Sequence, residues 1–407
     1  MARISSTIRS ILSGLCIVGI VAGWTAAGEN DLTIVVNPYT DVDWDTFEHH
    51  RAGLHMHTLQ SDGHHLLAEV VAAYQEAGFT ILSITDHDNM EPNRHVHSGR
   101  IPEERASPYP DPKPENYPAN TTWPWTDFGG PAPEDVGMVG IEGNELSFRH
   151  HINSFYSGFG APSADMDEDE LLLEVKRRNG LAFLDHPGID AGWWTRRPVE
   201  WYVERFEKHG PEYLVGIEVT NAALATEKYD EGLWDQLLAR FMPDRPIWGF
   251  GTDDMHVLSS VRESDSVFLL EQLDDESVRA AMEGGQFYFR KSTRRDDLRE
   301  REPVEKLFPR IEAIRVDEQA GTITVQASNY DTIKWISAPE SLEAQEDYQT
   351  SPEPWPLGRV VHEGDTVNYR ETPNIDRYLR IELHRQDGEE LFRTFTNPFG
   401  LAPASGS

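Results

Sequence analysis

The chain has 407 residues, 38% of them hydrophobic, which is enough apolar material for one large domain with a smaller companion, or for two of ordinary size, and excludes a disordered chain. Seventy acidic residues against 36 basic ones leave a formal charge of -34 at pH 7, which repels a phosphate backbone and excludes a surface built to coat nucleic acid. An anionic ligand would therefore need local positive charge, and metal ions supply it most directly.

In chain order, residues 1–28 read as an export signal. Arg3 and Arg9 precede an apolar run from Ile11 to Trp24 that is shorter than the roughly 20 residues needed to span a bilayer, and Thr25, Ala26, Ala27 and Gly28 follow. Cleavage near Ala27 is expected, leaving a periplasmic or secreted protein with no stable membrane anchor. The single cysteine, Cys16, lies inside this run behind Leu15, where a lipid-attachment signal wants Gly or Ala. The mature chain is therefore expected to hold no disulfide, no thiolate nucleophile and no sulfur-based metal site.

From Leu54 to about Arg290, buried strands alternate with helical patterns. "HLLAEVVAAYQEAG" repeats apolar residues at helical spacing and stops at Gly78; "TILSITDH" is a short strand. "DEDELLLEVKRRNG" leads into "LAFLDH", "EYLVGIEVTN" is a further strand, "EGLWDQLLARF" leads into "IWGFGTDD", and "ESVRAAMEGG" leads into "QFYFR". This rhythm predicts an α/β fold with a mainly parallel sheet, either a β/α barrel or an open doubly wound sheet. Residues 91–137 interrupt it with prolines and "TTWPWTDFGG", a long loop insertion. After about Asp296, "IEAIRV", "TITVQASN" and "YLRIELHR" alternate at period two, which predicts a small antiparallel β domain over 300–407.

The chemistry gathers at the strand ends. "GLHMH" offers His55 and His57, "SDG" Asp62, "ITDHD" Asp86 and His87, "EGNELSFRHHIN" Glu142, Glu145, His150 and His151, "FLDHPG" Asp185 and His186, and "GTDDMH" Asp253, Asp254 and His256. In parallel α/β folds the carboxyl ends of strands converge on one crevice, so these residues become neighbours there. Side chains two apart on a strand share a side, so His55 with His57, and Asp254 with His256, can each aim two donors at one point. Imidazole with carboxylate suits Zn, Mn or Fe, and a carboxylate such as Glu145 can bridge two ions. His49, His50, His64, His65, His95, His97 and His209 read instead as surface or supporting residues.

The series "HMHTLQSDG", "ITDHD", "NELSFRHHIN", "FLDHPG" and "GTDDMH" resembles the PHP domain, the polymerase and histidinol-phosphatase family. The leader and the trailing "FTNPFGL" resemble its exported, stand-alone CehA/McbA-type branch. The resemblance covers about residues 44–291. It implies a distorted seven-stranded β/α barrel, TIM-like in outline, that holds two or three divalent ions and hydrolyses phosphoesters or, in that branch, a carbamate ester. The implied ligands are His55, His57, Asp62, His87, Glu145, His151, His186, Asp254 and His256. Glu142 competes with Glu145, and Asp253 with Asp254.

Such ions lower the pKa of a bound water toward neutrality, bridge it as hydroxide and hold substrate oxygens. The expected reaction is hydrolysis of a small-molecule phosphoester; the alternatives are an ester or amide hydrolase on the same site and, less favoured with every ligand present, a non-catalytic binding protein. His150 and Asp86, and also His256, are candidate proton donors or orienters. Arg149, Arg196 and Arg197 could grip a phosphate. Trp123, Trp125, Trp193 and Trp194 would favour an apolar or sugar-like ligand.

Overall fold

The computed structural model describes residues 32–108, 121–160, 166–189, 196–222, 227–293, 306–342 and 355–404. The expected leader, Trp193 and Trp194 lie outside the described residues. Among those described, no helix is long and apolar enough to cross a membrane.

The helices form where the periodicity places them. Leu67–Glu76 buries Leu67, Val70, Val71, Ala73 and Tyr74 on one face, and Gly78 ends it with φ +79°, a left-handed conformation that costs glycine little. Glu168–Arg177 starts on a reciprocal cap, with Glu170 N donating to Asp167 Oδ1 and Asp167 N to Glu170 Oε2, both at 2.9 Å. With Val199–Lys208 and Glu227–Phe241 it covers one sheet, burying Leu171, Tyr202, Phe206, Leu233 and Trp234 against Leu184 and Ile217.

The fold is a mixed α/β arrangement of several sheets. Glu48–Gly53, Ile81–Ser83 and Val139–Ile141 pair in parallel, with Ser264–Leu270 antiparallel at the other edge of Glu48–Gly53. A second sheet runs Gly143–Leu146, Ile152–Phe155, Leu181–Leu184, Leu214–Asn221, Trp248–Thr252. The expected closed seven-stranded barrel is not formed, for two local reasons. Glu142 breaks the strand between Ile141 and Gly143, and the following hairpin pairs antiparallel instead of completing a strand–helix–strand unit. At the other seam, Ser266 Oγ both accepts from Gly251 N (3.2 Å) and donates to Gly251 O (3.1 Å), occupying groups that a ladder would use. Among the described residues, only the single bridges Met56 to Met255 and His87 to Glu145 join these two sheets, and all four residues lie in or beside the chemical motifs.

The strands beyond residue 300 are antiparallel, as their alternation predicts. Hydrogen bonding nevertheless crosses the expected boundary: Glu390–Thr396 pairs with Phe287–Ser292, and Phe399–Pro403 with Leu32–Val36, giving an eleven-stranded sheet. A buried ionic network fastens this region to helix Glu227–Phe241. Arg380 grips both oxygens of Asp235 at 2.8 Å and Glu382 at 2.5 Å, while Tyr378 donates to Asp235 at 2.7 Å.

Within the insertion, Arg94–His97 is a short helix, and Trp125 and Phe128 pack on Leu67, Val70 and Tyr74. Trp125 is therefore a core residue covering a helix.

Candidate metal centre

His55 and His57 follow strand Glu48–Gly53, where His57 N donates to Met255 O at 2.8 Å and so fixes the two strand ends against each other. The next turn closes tightly, Ser61 N and Gly63 N both donating to Thr58 O. A Cβ on Gly63 would lie 2.3 Å from His57 O, so only glycine allows the turn that returns Asp62 to the histidines. Glu145 sits on strand Gly143–Leu146, His151 just before Ile152–Phe155, His186 just after Leu181–Leu184, and Asp254 and His256 after Trp248–Thr252. His186 and Asp254 hold φ of +22° and +44°, strained values for side chains of this kind, of the sort that persists where surrounding structure fixes a functional geometry.

All nine residues that the resemblance implies come together in overlapping groups whose donor atoms lie within 4.8 Å of one another. His57 Nε2 stands 3.1 Å from Asp254 Oδ1 and 3.4 Å from Glu145 Oε2, and His55 Nε2 stands 3.5 and 3.4 Å from the same two oxygens. The other oxygen of Glu145 faces His151 Nδ1 and, at 3.3 Å, His186 Nε2. Asp62 Oδ1 stands 3.5 Å from His87 Nε2 and 3.4 Å from His256 Nε2.

These spacings fit a cation. Donors about 2.1 Å from a common tetrahedral ion stand about 3.4 Å apart. His55 Nε2, His57 Nδ1, Asp62 Oδ1 and Glu145 Oε2 are buried without a hydrogen-bond partner. Together with Asp185 and Glu218, the carboxylates Asp62, Glu145 and Asp254 bring five potential negative charges into one small region, and burying unpaired charge is expensive. Burial opposes ionisation of Glu145 and Asp254, but the surrounding histidines outweigh it and hold both well below the usual carboxylate range. His256 resists burial through Asp254 and Asp62 and is pushed up to about 9. Burial, with the charges of Glu145, Glu218 and Asp254, pushes Asp185 well above the usual range against the pull of His55.

Sequence reasoning missed Glu218. Fully buried on strand Leu214–Asn221, it accepts from His186 N at 2.7 Å, Asn221 Nδ2 at 3.0 Å and the Thr252 hydroxyl, and its Oε1 faces His55 Nδ1 at 3.0 Å. A proton on Nδ1 shared with Glu218 leaves the His55 Nε2 lone pair facing the centre. Asn221 also donates to Asp254 Oδ2 at 3.1 Å. The signal was available: an acid within "LVGIEVTN", near the end of an otherwise largely apolar parallel strand.

Other expected residues are placed elsewhere. Asp86 accepts from Thr58 N, Thr58 Oγ1 and Ser61 Oγ at 2.7 Å and from Thr122 Oγ1 at 2.8 Å, so it holds the turn before Asp62 and belongs to none of the donor groups. His150 packs against Trp201 and Tyr202 at 4.9 and 5.4 Å, and burial holds its imidazole well below its ordinary pKa. Glu142 accepts from Gly158 N at 2.9 Å, and burial raises it to about 7. Asp253 accepts from the backbone of Arg262, Glu263 and Ser264 and from Tyr74, so Asp254 is the one that reaches the histidines. Arg149 donates to Met166 O and Arg197 pairs with Glu168, whereas Arg196 donates to Gly188 O at 3.0 Å, two residues beyond His186.

No family model and no curated protein matches this sequence. Among solved structures, the chain is similar to a two-domain protein containing a predicted PHP-like metal-dependent phosphoesterase from Bacteroides vulgatus ATCC 8482, at 16% identity over 89% of this chain and 95% of that one, with a TM-score of 0.46. PsfC from Pseudomonas syringae PB-5123 overlaps at 15% identity over 57% of this chain and 87% of that one, with a TM-score of 0.35. The lesion-specific endonuclease PfuEndoQ from Pyrococcus furiosus overlaps at 14% identity over 58% and 56%, with a TM-score of 0.37. The functional reading rests on the residues of the centre.

Proposed function

We propose that this chain is a metal-dependent hydrolase of the PHP type acting on a small-molecule phosphoester. The observation that carries the reading is Glu145, whose two oxygens face different histidine groups, His55, His57 and His87 on one side and His151 and His186 on the other. Such a carboxylate suits adjacent cations.

His55, His57, Glu145 and Asp254 would hold one ion, Glu145, His151 and His186 a second, and Asp62, His87 and His256 a third, with zinc, manganese or iron suiting the donors. When bound, the ions would supply a water acidic enough to attack at neutral pH and positive charge for the substrate oxygens. Glu218 and Asn221 orient His55, His186 and Asp254, and Asp86 shapes the turn that presents Asp62. A phosphate offers several anionic oxygens to such an array, while an ester carbonyl offers one, and this favours the phosphoester. Nothing in the placement of Trp125, which is core, favours the ester or amide alternative. Export of the mature protein, by a leader like that of the CehA/McbA-type branch, belongs to the same proposal and is supported by Arg3, Arg9 and the apolar run.

The test is metal analysis of the purified protein, followed by hydrolysis of chromogenic phosphomonoesters, a phosphodiester and an aryl ester, with and without millimolar-scale inorganic phosphate. Phosphoester cleavage that phosphate inhibits is expected. Aryl ester turnover insensitive to phosphate, with no phosphoester cleaved under any metal, would overturn the reading.

A further inference from the structure

The nine residues of the centre differ in exposure in a way that locates its mouth. The side chains of Asp62 and His256 are 17% and 32% exposed, whereas none of the other seven exceeds 9%. A substrate therefore approaches across the Asp62–His256 edge.

What borders that edge is the start of the insertion. Val96 and Ile101 bury against Leu59, and Asn93 N donates to Leu59 O at 2.7 Å. Gln60 Nε2 donates to Ser107 Oγ at 2.9 Å. Leu59 and Gln60 lie between His57 and Asp62, so the insertion is fastened to the ligand loop itself. His64 N donates to His256 O at 2.9 Å, and the His64 ring stands 4.8 Å from that of His95. Arg94 and Arg100 flank His95 in sequence, are exposed, and form no ion pair with a described residue. By contrast, His97 lies 3.7 Å from Glu91, and Arg105 is 2.8 Å from Glu69. Both imidazoles are partly buried, and Arg94 and Arg100 lie close enough to His95 to act on it electrostatically. A chain carrying a formal charge of -34 thus places the imidazoles of His64 and His95 beside the Asp62–His256 edge of its centre, with Arg94 and Arg100 adjoining His95.

We propose that Arg94, His95 and Arg100, with His64, form a subsite for a second anionic group of the substrate, a phosphate or carboxylate distal to the ester bond that is cleaved. The inference deepens the phosphoesterase reading and rests on it for its catalytic consequence. Arginine takes an oxyanion through two parallel donors, and an imidazole N–H adds a third.

The experiment compares phenyl phosphate, 4-carboxyphenyl phosphate and 1,4-phenylene bisphosphate on the zinc-loaded protein. The substrates with a distal charge should exceed phenyl phosphate in kcat/KM by about tenfold, as a partly exposed charge-assisted contact allows, and the larger ratio identifies which oxyanion fits. In the Arg94→Ala/Arg100→Ala variant both ratios should fall toward one, chiefly through KM, and ratios that stay at the wild-type value would overturn the subsite. If no phenyl phosphate is cleaved, the phosphoesterase reading fails and the subsite is read by binding alone. Sulfate titrated into the zinc-loaded protein should shift the His95 ring signals in NMR, assigned with His95→Gln, and the shift should vanish in the double arginine variant. A His95 signal unmoved by sulfate, or moved equally in that variant, overturns the subsite whatever the reaction.

Discussion

Replacing Glu218 by glutamine isolates the role of a residue that touches ligands without belonging to the nine. One carboxylate oxygen becomes an NH2 group, and the surroundings decide which. At the Oε2 position the amide would meet His186 N at 2.7 Å, a backbone donor that cannot reverse, and Asn221 Nδ2 at 3.0 Å, which could flip to accept only by giving up its bond to Asp254 Oδ2. At the Oε1 position it meets the Thr252 hydroxyl, which can rotate to accept, and His55 Nδ1, which can accept in its other tautomer. The second arrangement wins, and it moves the His55 proton to Nε2, the nitrogen that faces Glu145 and Asp254. His55 then presents a proton where a ligand needs a lone pair. Loss of such an outer partner typically weakens metal binding about 10- to 100-fold. Every tenfold corresponds to about 1.4 kcal/mol. The metal-free protein should change far less, because most of the hydrogen bonds survive and each is worth about 0.5–1.5 kcal/mol net. The assay pairs zinc titration against a chelator of known affinity with thermal melting of the metal-free protein. A zinc Kd within twofold of wild type, or a loss of metal-free stability that accounts for the whole effect, would refute the tautomer argument.

Glu145→Gln should remove more metal than any other single substitution at the centre, since both groups it joins lose an anionic donor; metal analysis that finds full occupancy would contradict the bridging role. Zinc uptake at pH 7 should release protons, because His256, pushed up to about 9, must lose its proton to become a ligand, so affinity should rise with pH toward that value. Calorimetry in buffers of different ionisation enthalpy reads the proton count. Asp235→Ala should destabilise the fold by about 3–5 kcal/mol by leaving Arg380 buried and uncompensated, while a double change of Asp235 and Arg380 to apolar residues should recover much of it in chemical denaturation. Asp265, held low against its burial by Arg290 and Arg51, contributes stability that is fully present above its unfolded pKa of about 4 and is lost as pH falls below that value toward the folded one, which a urea series from pH 6 downward measures.

That these histidines and carboxylates would gather in one place was legible because metal-ligand residue types recur at the ends of apolar strands. Period two put His55 beside His57, and the helix signals located their supports. Closure of the barrel was not legible. It fails at the break at Glu142 and at the Ser266 side chain, which occupies both polar groups of Gly251, and neither event disturbs hydrophobic periodicity. Asp86 and His150 were read as chemistry because their residue types sit beside ligands. Only three-dimensional placement reveals that the oxygens of Asp86 accept four hydrogen bonds and that Trp201 and Tyr202 pack around His150. Glu218 was overlooked for the complementary reason, since its partners His55, His186 and Thr252 come from three other strand ends and no local pattern announces them.

These placements explain how an acidic chain can serve an anionic ligand. Long-range attraction is absent by composition, since the formal charge is -34, so discrimination must be local. Inside the centre, clustered carboxylates create the demand for cations, and divalent ions beside Glu145 would reverse the sign felt by a phosphate. At the rim, Arg94 and Arg100 stand free of described ion pairs while their neighbour Arg105 is held by Glu69. Both features act over distances shorter than the roughly 8 Å screening length of physiological salt, so turnover in this arrangement should depend on ionic strength far less than a reaction driven by whole-surface steering. An on-rate that falls by orders of magnitude between low and physiological salt would point to a charged approach path outside this edge and against the local account.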